Sequence, residues 1–300
     1  MAEFGRLLTA MVTPMTASGE VDDAACAELA RALVASGTDG IVATGTTGEA
    51  PTLTPEEQVR VWRTVKRAVG PAVAVIAGAT NNSTAQSIEM TREAERAGLD
   101  GVLLTVPAYN KPTQEGLVRH FTAIAEATTL PGLLYNVPGR TSLNMSADTT
   151  IRLSQVPGIV GVKEASGDLG QIARIIEHAA SGFRVWSGND SDTLPVLAIG
   201  GYGVVSVAAH LVGWQICELI AACVAGSNAA AAEIHRRLLP LVDVLFVESN
   251  PIPTKCALNA LGFAVGDPRL PLLPASAGAA ERISAELARH RIDLPLPVKR

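Results

Sequence analysis

The sequence predicts an α/β chain: a (β/α)8 TIM barrel followed by a C-terminal helical extension. Eight short apolar runs rich in Val, Ile and Leu recur over the first 209 residues. Their starts lie 33, 32, 29, 31, 27, 24 and 20 residues apart, close to one βα unit each. Segments with helical periodicity fill the intervals. Continuous apolar strands alternating with helices describe a parallel sheet buried on both faces, and eight such units are what a closed barrel requires.

The strands are expected at 7–14, 40–45, 72–79, 101–107, 132–137, 159–165, 183–188 and 203–209. Helices are expected at 24–36, 56–69, 84–97 and 114–127. Thr54-Pro55-Glu56-Glu57 supplies an N-cap, a proline at the first helical position and a glutamate three residues after the cap. Ser83 and Ser146 suit the same capping role. Ser36-Gly37-Thr38-Asp39-Gly40 and Ala97-Gly98-Leu99-Asp100-Gly101 each close a helix and open a strand, a weak internal repetition of one unit.

After the eighth strand, helices are expected at 214–225, 229–244, 253–261 and 277–289, with a frayed end at 294–300. Gly226-Ser227 marks the best boundary, giving a catalytic barrel over 1–226 and an α-helical domain over 227–300. The uncharged stretch 193–217 is long enough to span a bilayer, but Pro195, Gly200, Gly201, Gly203 and Gly213 divide it. It reads better as a helix end, a turn, a buried strand and a helix start.

Composition narrows the function classes. Lys plus Arg number 24 against 29 Asp plus Glu, a net charge of −5, with 48% hydrophobic and 18% charged residues. No basic patch offers itself to nucleic acid or anionic lipid, and the apolar content excludes a disordered chain. Cys26, Cys217, Cys223 and Cys256 form no C-x-x-C pair and read as reduced thiols in a cytoplasmic protein. The five histidines show no metal-ligand spacing, so no metal site is expected. The apolar run before Pro14 is too short and broken for a signal peptide.

In such a barrel the reactive groups stand at the C-terminal ends of strands. Strand two ends in Gly45-Thr46-Thr47-Gly48-Glu49, a turn whose hydroxyls and amides could hold a carboxylate, although an ordinary turn has the same composition. Two of the three tyrosines, Tyr109 and Tyr135, fall at adjacent strand ends, as rim aromatics or as phenols that move protons. Arg140 follows Pro138-Gly139 and suits carboxylate capture. Lys163 ends the run 159–162 and should share an inward face with Ile159 and Gly161. Desolvation on that face favours the neutral amine that attack on a ketone needs, while pairing with Glu164 or Asp168 is the structural alternative.

Gly45-Thr46-Thr47-Gly48-Glu49, Tyr135-Asn136-Val137-Pro138-Gly139-Arg140-Thr141, Gly161-Val162-Lys163-Glu164-Ala165-Ser166-Gly167-Asp168 and Asn250-Pro251-Ile252-Pro253-Thr254-Lys255 together resemble the dihydrodipicolinate synthase family of class I, pyruvate-dependent aldolases. The resemblance runs from about Leu8 to Pro271. It implies condensation of pyruvate with L-aspartate 4-semialdehyde in lysine and diaminopimelate biosynthesis, without cofactor or metal. It further implies that Lys163 forms the Schiff base, that Tyr135, Thr46 and Tyr109 form a proton relay, and that Thr47 holds the pyruvate carboxylate. Arg140 would receive the semialdehyde, and Gly188 and Val205 would line the pocket. A homotetramer of tight dimers is implied, with Tyr109 donated across the dimer.

The chain departs from lysine-inhibited relatives at three positions, which hold Gln58, Gln86 and Ala108, with Asn82 kept. Weak or absent lysine feedback follows as an expectation. The rival within the superfamily is N-acetylneuraminate lyase or a keto-deoxy sugar acid aldolase, which would share Lys163 and Tyr135 but typically lack an arginine at 140. A non-catalytic phosphate-binding barrel would keep the fold without needing Lys163.

Overall fold

Eight strands pair in parallel and in sequence order: β1 (Leu7–Ala10), β2 (Gly40–Ala43), β3 (Ala74–Gly78), β4 (Gly101–Thr105), β5 (Gly132–Asn136), β6 (Ile159–Glu164), β7 (Arg184–Ser187) and β8 (Gly203–Ser206). The last returns to the first through Leu8↔Val205 and closes the barrel. The structure is a computed structural model that describes residues 4–296.

The strands are shorter than the apolar runs, which extend past the paired residues at one or both ends. Met11 and Val12 stay buried beyond β1, and Met11 N still donates to Val42 O at 3.0 Å.

One sequence expectation fails at β6. Gly132 pairs with Ile159 but Leu133 pairs with Gly161, so Val160 is an extra residue in the strand. The bulge reverses the alternation around it. Ile159 therefore packs in the outer core and Val160 against the inner one, while Gly161 and Lys163 keep the inward face.

Helices α1 (Asp23–Ala35), α2 (Pro55–Val69), α3 (Thr84–Arg96), α4 (Gln114–Ala125), α5 (Pro138–Thr141), α6 (Ala147–Leu153), α7 (Leu169–His178), α8 (Thr193–Ala198) and α9 (Ala209–Val224) wrap the sheet. Thr54 makes the full capping box with Glu57. Ser83 and Ser146 cap α3 and α6, as expected, and Asp22, Thr113 and Asp168 cap α1, α4 and α7 in the same way. The uncharged stretch 193–217 resolves into α8, a glycine turn, β8 and the first half of α9. Among the described residues no helix is long and apolar enough to cross a membrane.

Two cores result. The inner one fills the barrel with Leu8, Val42, Ile76, Leu103, Leu133, Tyr135, Trp186 and Val205, and Phe4 joins it against Trp186. The outer one lies between strands and helices. Helices α10 (Asn228–Val244), α11 (Ile252–Ala260) and α12 (Ala277–Leu287) add Leu238, Leu241, Leu258, Ile283 and Leu287 to that same outer cluster. The chain turns from α9 into α10 at Gly226, whose φ is 71°. The end is not frayed at Leu294, which is buried in the core; residues 297–300 lie outside those described.

Candidate active site

The site starts from the pairing of β5 with β6, which sets Tyr135 opposite Lys163 and Asn136 opposite Glu164. Alternation then separates the two pairs. Asn136 and Glu164 face the helices, where the Glu164 carboxylate accepts from Asn136 Nδ2 at 3.0 and 3.1 Å, Ser166 N at 2.8 Å and Gln171 Nε2 at 3.2 Å. Burial still pushes the Glu164 carboxyl above its ordinary pKa, against those bonds. Asp168 is occupied as the cap of α7. Neither carboxylate forms an ion pair with Lys163.

Lys163 is 5% exposed, and its Nζ lies 4.2 Å from the centroid of the Tyr135 ring. Among the described residues its Nζ makes no hydrogen bond or ion pair. The carboxylate whose field it shares is the buried Asp190, which accepts from Ser206 Oγ, Val207 N (2.9 Å) and Ala208 N (3.2 Å). Burial pushes the Asp190 carboxyl up, and these bonds together with the Lys163 charge oppose that rise.

The turn after β2 is tightly wound, with Thr44 and Glu49 both left-handed at φ 52° and 58°. Neighbouring β3 admits it only because residue 78 is glycine: a Cβ there would sit 2.2 Å from Thr44 O. Trp62 Nε1 donates to Thr44 Oγ1 at 2.6 Å, and Thr13 Oγ1 donates to Gly48 O at 2.7 Å. Thr47 is buried and its Oγ1 accepts from Asn250 Nδ2 at 2.8 Å. Glu49 makes a fully buried ion pair with Lys255 at 2.6 Å and accepts from Arg269 N at 2.8 Å.

At the mouth, Arg140 is carried on the single turn α5 and its Nη2 donates to Asn250 O at 3.3 Å. Thr46 and Arg140 line one groove of about 1940 Å³ that continues past Gln58, Asn82, Gln86 and Ala108. Lys163 and Tyr135 lie inside the barrel rather than among the residues that line this groove. Gly188 marks a close approach of β7 to β6, since a Cβ would meet that of Ala165 at 2.6 Å. Val205 is part of the inner core. Tyr109 stands apart: it is 91% exposed in a left-handed conformation and forms no hydrogen bond to Tyr135 or Thr46.

The arrangement offers a buried primary amine against a tyrosine ring, a turn that carries the buried Thr47 hydroxyl, and a guanidinium at the mouth. Comparison with known proteins decides among barrels that could share it. The model of the dihydrodipicolinate synthetase family matches residues 3–290. The chain belongs to that family. A 4-hydroxy-tetrahydrodipicolinate synthase from Dehalococcoides mccartyi is 57% identical over 99% of this chain and 100% of its own length. A family member from Cyanidioschyzon merolae, solved with lysine bound, superposes with a TM-score of 0.94 at 47% identity, covering 95% of this chain and 98% of that one. The chloride-inhibited family member from Acinetobacter baumannii, solved with pyruvate, gives 0.93 at 39% identity over 96% of this chain and 99% of the other. The activity of this family member is accordingly that of a lyase, 4-hydroxy-tetrahydrodipicolinate synthase, in lysine biosynthesis.

Sequence reasoning did not single out Asn250, Glu49 or Lys255 for the site. Thr47 and Asn250 are 203 residues apart, so no local spacing joins them. The one signal available was that both motifs held side chains able to pair.

Proposed function

We propose that this chain condenses pyruvate, held as a Schiff base on Lys163, with L-aspartate 4-semialdehyde in the diaminopimelate and lysine route. The observation that carries the proposal is the buried Lys163 Nζ facing the Tyr135 ring at 4.2 Å, without a carboxylate bound to it. The amine adds to C2 of pyruvate and water leaves, giving an imine that withdraws electrons from the methyl carbon. A proton leaves the methyl, and the enamine attacks the aldehyde carbon. The amino group of the adduct then adds to C2, and Lys163 departs as the ring closes.

In this reading Tyr135 and Thr46 carry protons between these steps and Thr47 donates to the pyruvate carboxylate. Arg140, beside Asn250 at the mouth, binds the second carboxylate away from the reacting carbon, which orients the aldehyde. Gly188 lets the chain after β7 approach β6 closely, and Val205 on β8 belongs to the inner core, so the two would form part of the pocket wall. The relay needs Tyr109, and its 91% exposure at the rim fits donation into a second copy within a homotetramer of tight dimers. Four unpaired cysteines fit a cytoplasmic setting.

Gln58, Gln86 and Ala108 bring no carboxylate to a groove that Glu56, Glu89 and Glu93 also line, and weak lysine feedback is inferred from those three positions alone. Strong inhibition of the pure enzyme by lysine at millimolar concentration contradicts that. Assaying pyruvate with aspartate 4-semialdehyde beside mannose-derived and other sugar aldehydes tests the function. Turnover confined to the semialdehyde is expected; preference for the sugar aldehydes would move the chain to the aldolase reading.

A further inference from the structure

The segment after α10 reaches back across the barrel and grips the turn that follows β2 at two points. Asn250 Nδ2 donates to Thr47 Oγ1 at 2.8 Å, and Lys255 Nζ pairs with Glu49 at 2.6 Å. Asn250 also uses its backbone: its carbonyl accepts from Arg140 Nη2 at 3.3 Å. One residue therefore touches both groups that the proposed function gives to carboxylate recognition.

The direction of the Thr47 contact matters. A threonine hydroxyl has one hydrogen and two lone pairs. Accepting from Asn250 occupies a lone pair and leaves the hydrogen free to be donated elsewhere. Asn250 Oδ1 is buried with no hydrogen-bond partner among the described residues, a cost that an apolar side chain of similar size avoids. That cost points to the donor half of the amide as what the position supplies. Lys255, Glu49 and the Arg269 amide hold the same turn from its other end, so the Thr47 hydroxyl rests on a fixed backbone.

We propose that Asn250 is a positioning residue for the condensation: its amide fixes the Thr47 hydroxyl as a donor to the ketoacid carboxylate, and its carbonyl holds Arg140 at the entrance. The inference rests on the function proposed above for Thr47 and Arg140. Asn250→Ala removes the donor. Asn250→Asp reverses it, because a carboxylate only accepts; the Thr47 hydrogen turns toward it and a negative charge is added near the ketoacid.

The test is steady-state kinetics of the full chain with pyruvate and aspartate 4-semialdehyde. Asn250→Ala is expected to raise KM for pyruvate about tenfold, with kcat within about threefold, and Asn250→Asp about a hundredfold. With Thr47→Val already in place, Asn250→Ala is expected to add less than about threefold, since its route to the substrate is gone. A merely structural role would instead lower kcat and melting temperature together and leave the pyruvate KM and the additivity untouched. If Asn250→Asp does not fold, Asn250→Ala decides: a pyruvate KM within about twofold of wild type overturns the proposal. Borohydride trapping of pyruvate on the wild-type chain separates the two readings. No adduct on Lys163 removes the proposed function, whereas an adduct in the wild type with unchanged pyruvate half-saturation in Asn250→Ala removes only the role of Asn250.

Discussion

Among the described residues two lysines are buried, and their surroundings differ in the one respect that matters for chemistry. Lys255, 1% exposed, is held by Glu49 at 2.6 Å and by the Asp267 carbonyl at 3.2 Å. Burial pulls its pKa down, and the Glu49 carboxylate pushes part of that back. Lys163, 5% exposed, has an aromatic face at 4.2 Å and no bound carboxylate. Burial alone therefore does not make a nucleophile. A paired lysine is committed to its partner, and its ammonium is a structural tie between the helical extension and the β2 turn. A lysine without such a partner keeps its nitrogen available to a carbonyl carbon.

Exchanging the roles of the two lysines tests this contrast most severely. Lys163→Ala and Lys163→Arg are expected to lower kcat by at least about 10⁴-fold with an unchanged circular dichroism spectrum and melting temperature, because the nucleophile is lost and the fold is not. Activity within about tenfold of wild type would mean another group captures the ketoacid. Lys255→Met should act on stability, by about 3–5 kcal/mol in urea denaturation, since Glu49 is left buried without its cation. Adding Glu49→Gln should recover part of the loss; no recovery would show that packing and not charge holds the turn.

A third buried base sharpens the same point. His210 is fully buried, accepts from Val12 N at 3.1 Å and donates to Val207 O at 2.8 Å, and burial lowers its pKa to about 4 from 6.5. The native state thus disfavours its protonation. The stability this confers is complete above the unfolded value of 6.5 and is lost as pH falls toward 4. Between pH 7 and pH 5 it should remove about 2 kcal/mol, and His210→Gln should flatten that part of the stability profile. An unchanged slope would show that His210 is protonated at no cost. The smallest effect is expected at the mouth: Arg140→Ala should raise KM for the semialdehyde about tenfold while leaving pyruvate trapping on Lys163 intact.

The barrel was legible in the sequence because its signal is repetitive: apolar runs at regular spacing leave few other ways to bury both faces of a sheet. Capping residues were equally legible, since Thr54, Ser83 and Ser146 act within their own first turn. The bulge at Val160 was not, because it depends on how β6 registers against β5, and a sequence shows alternation only within one strand. The location of Lys163 at a strand end survived that error, as the alternation resumes between Gly161 and Lys163. The grip of Asn250 on Thr47 and of Lys255 on Glu49 was also hidden, because contacts across some two hundred residues leave no local pattern. The burial of Leu294 was missed for the same reason: the amide of its neighbour Asp293 is tied to the Leu211 carbonyl, far back in the chain.

The contrast between the two lysines comes down to a single experiment. The full chain is incubated with pyruvate and sodium borohydride, digested, and its peptides are weighed by mass spectrometry. The account predicts one pyruvate, less a water and plus two hydrogens, on the peptide carrying Lys163, and an unmodified peptide carrying Lys255. A pyruvate-dependent adduct on Lys255, or none on Lys163, would contradict it.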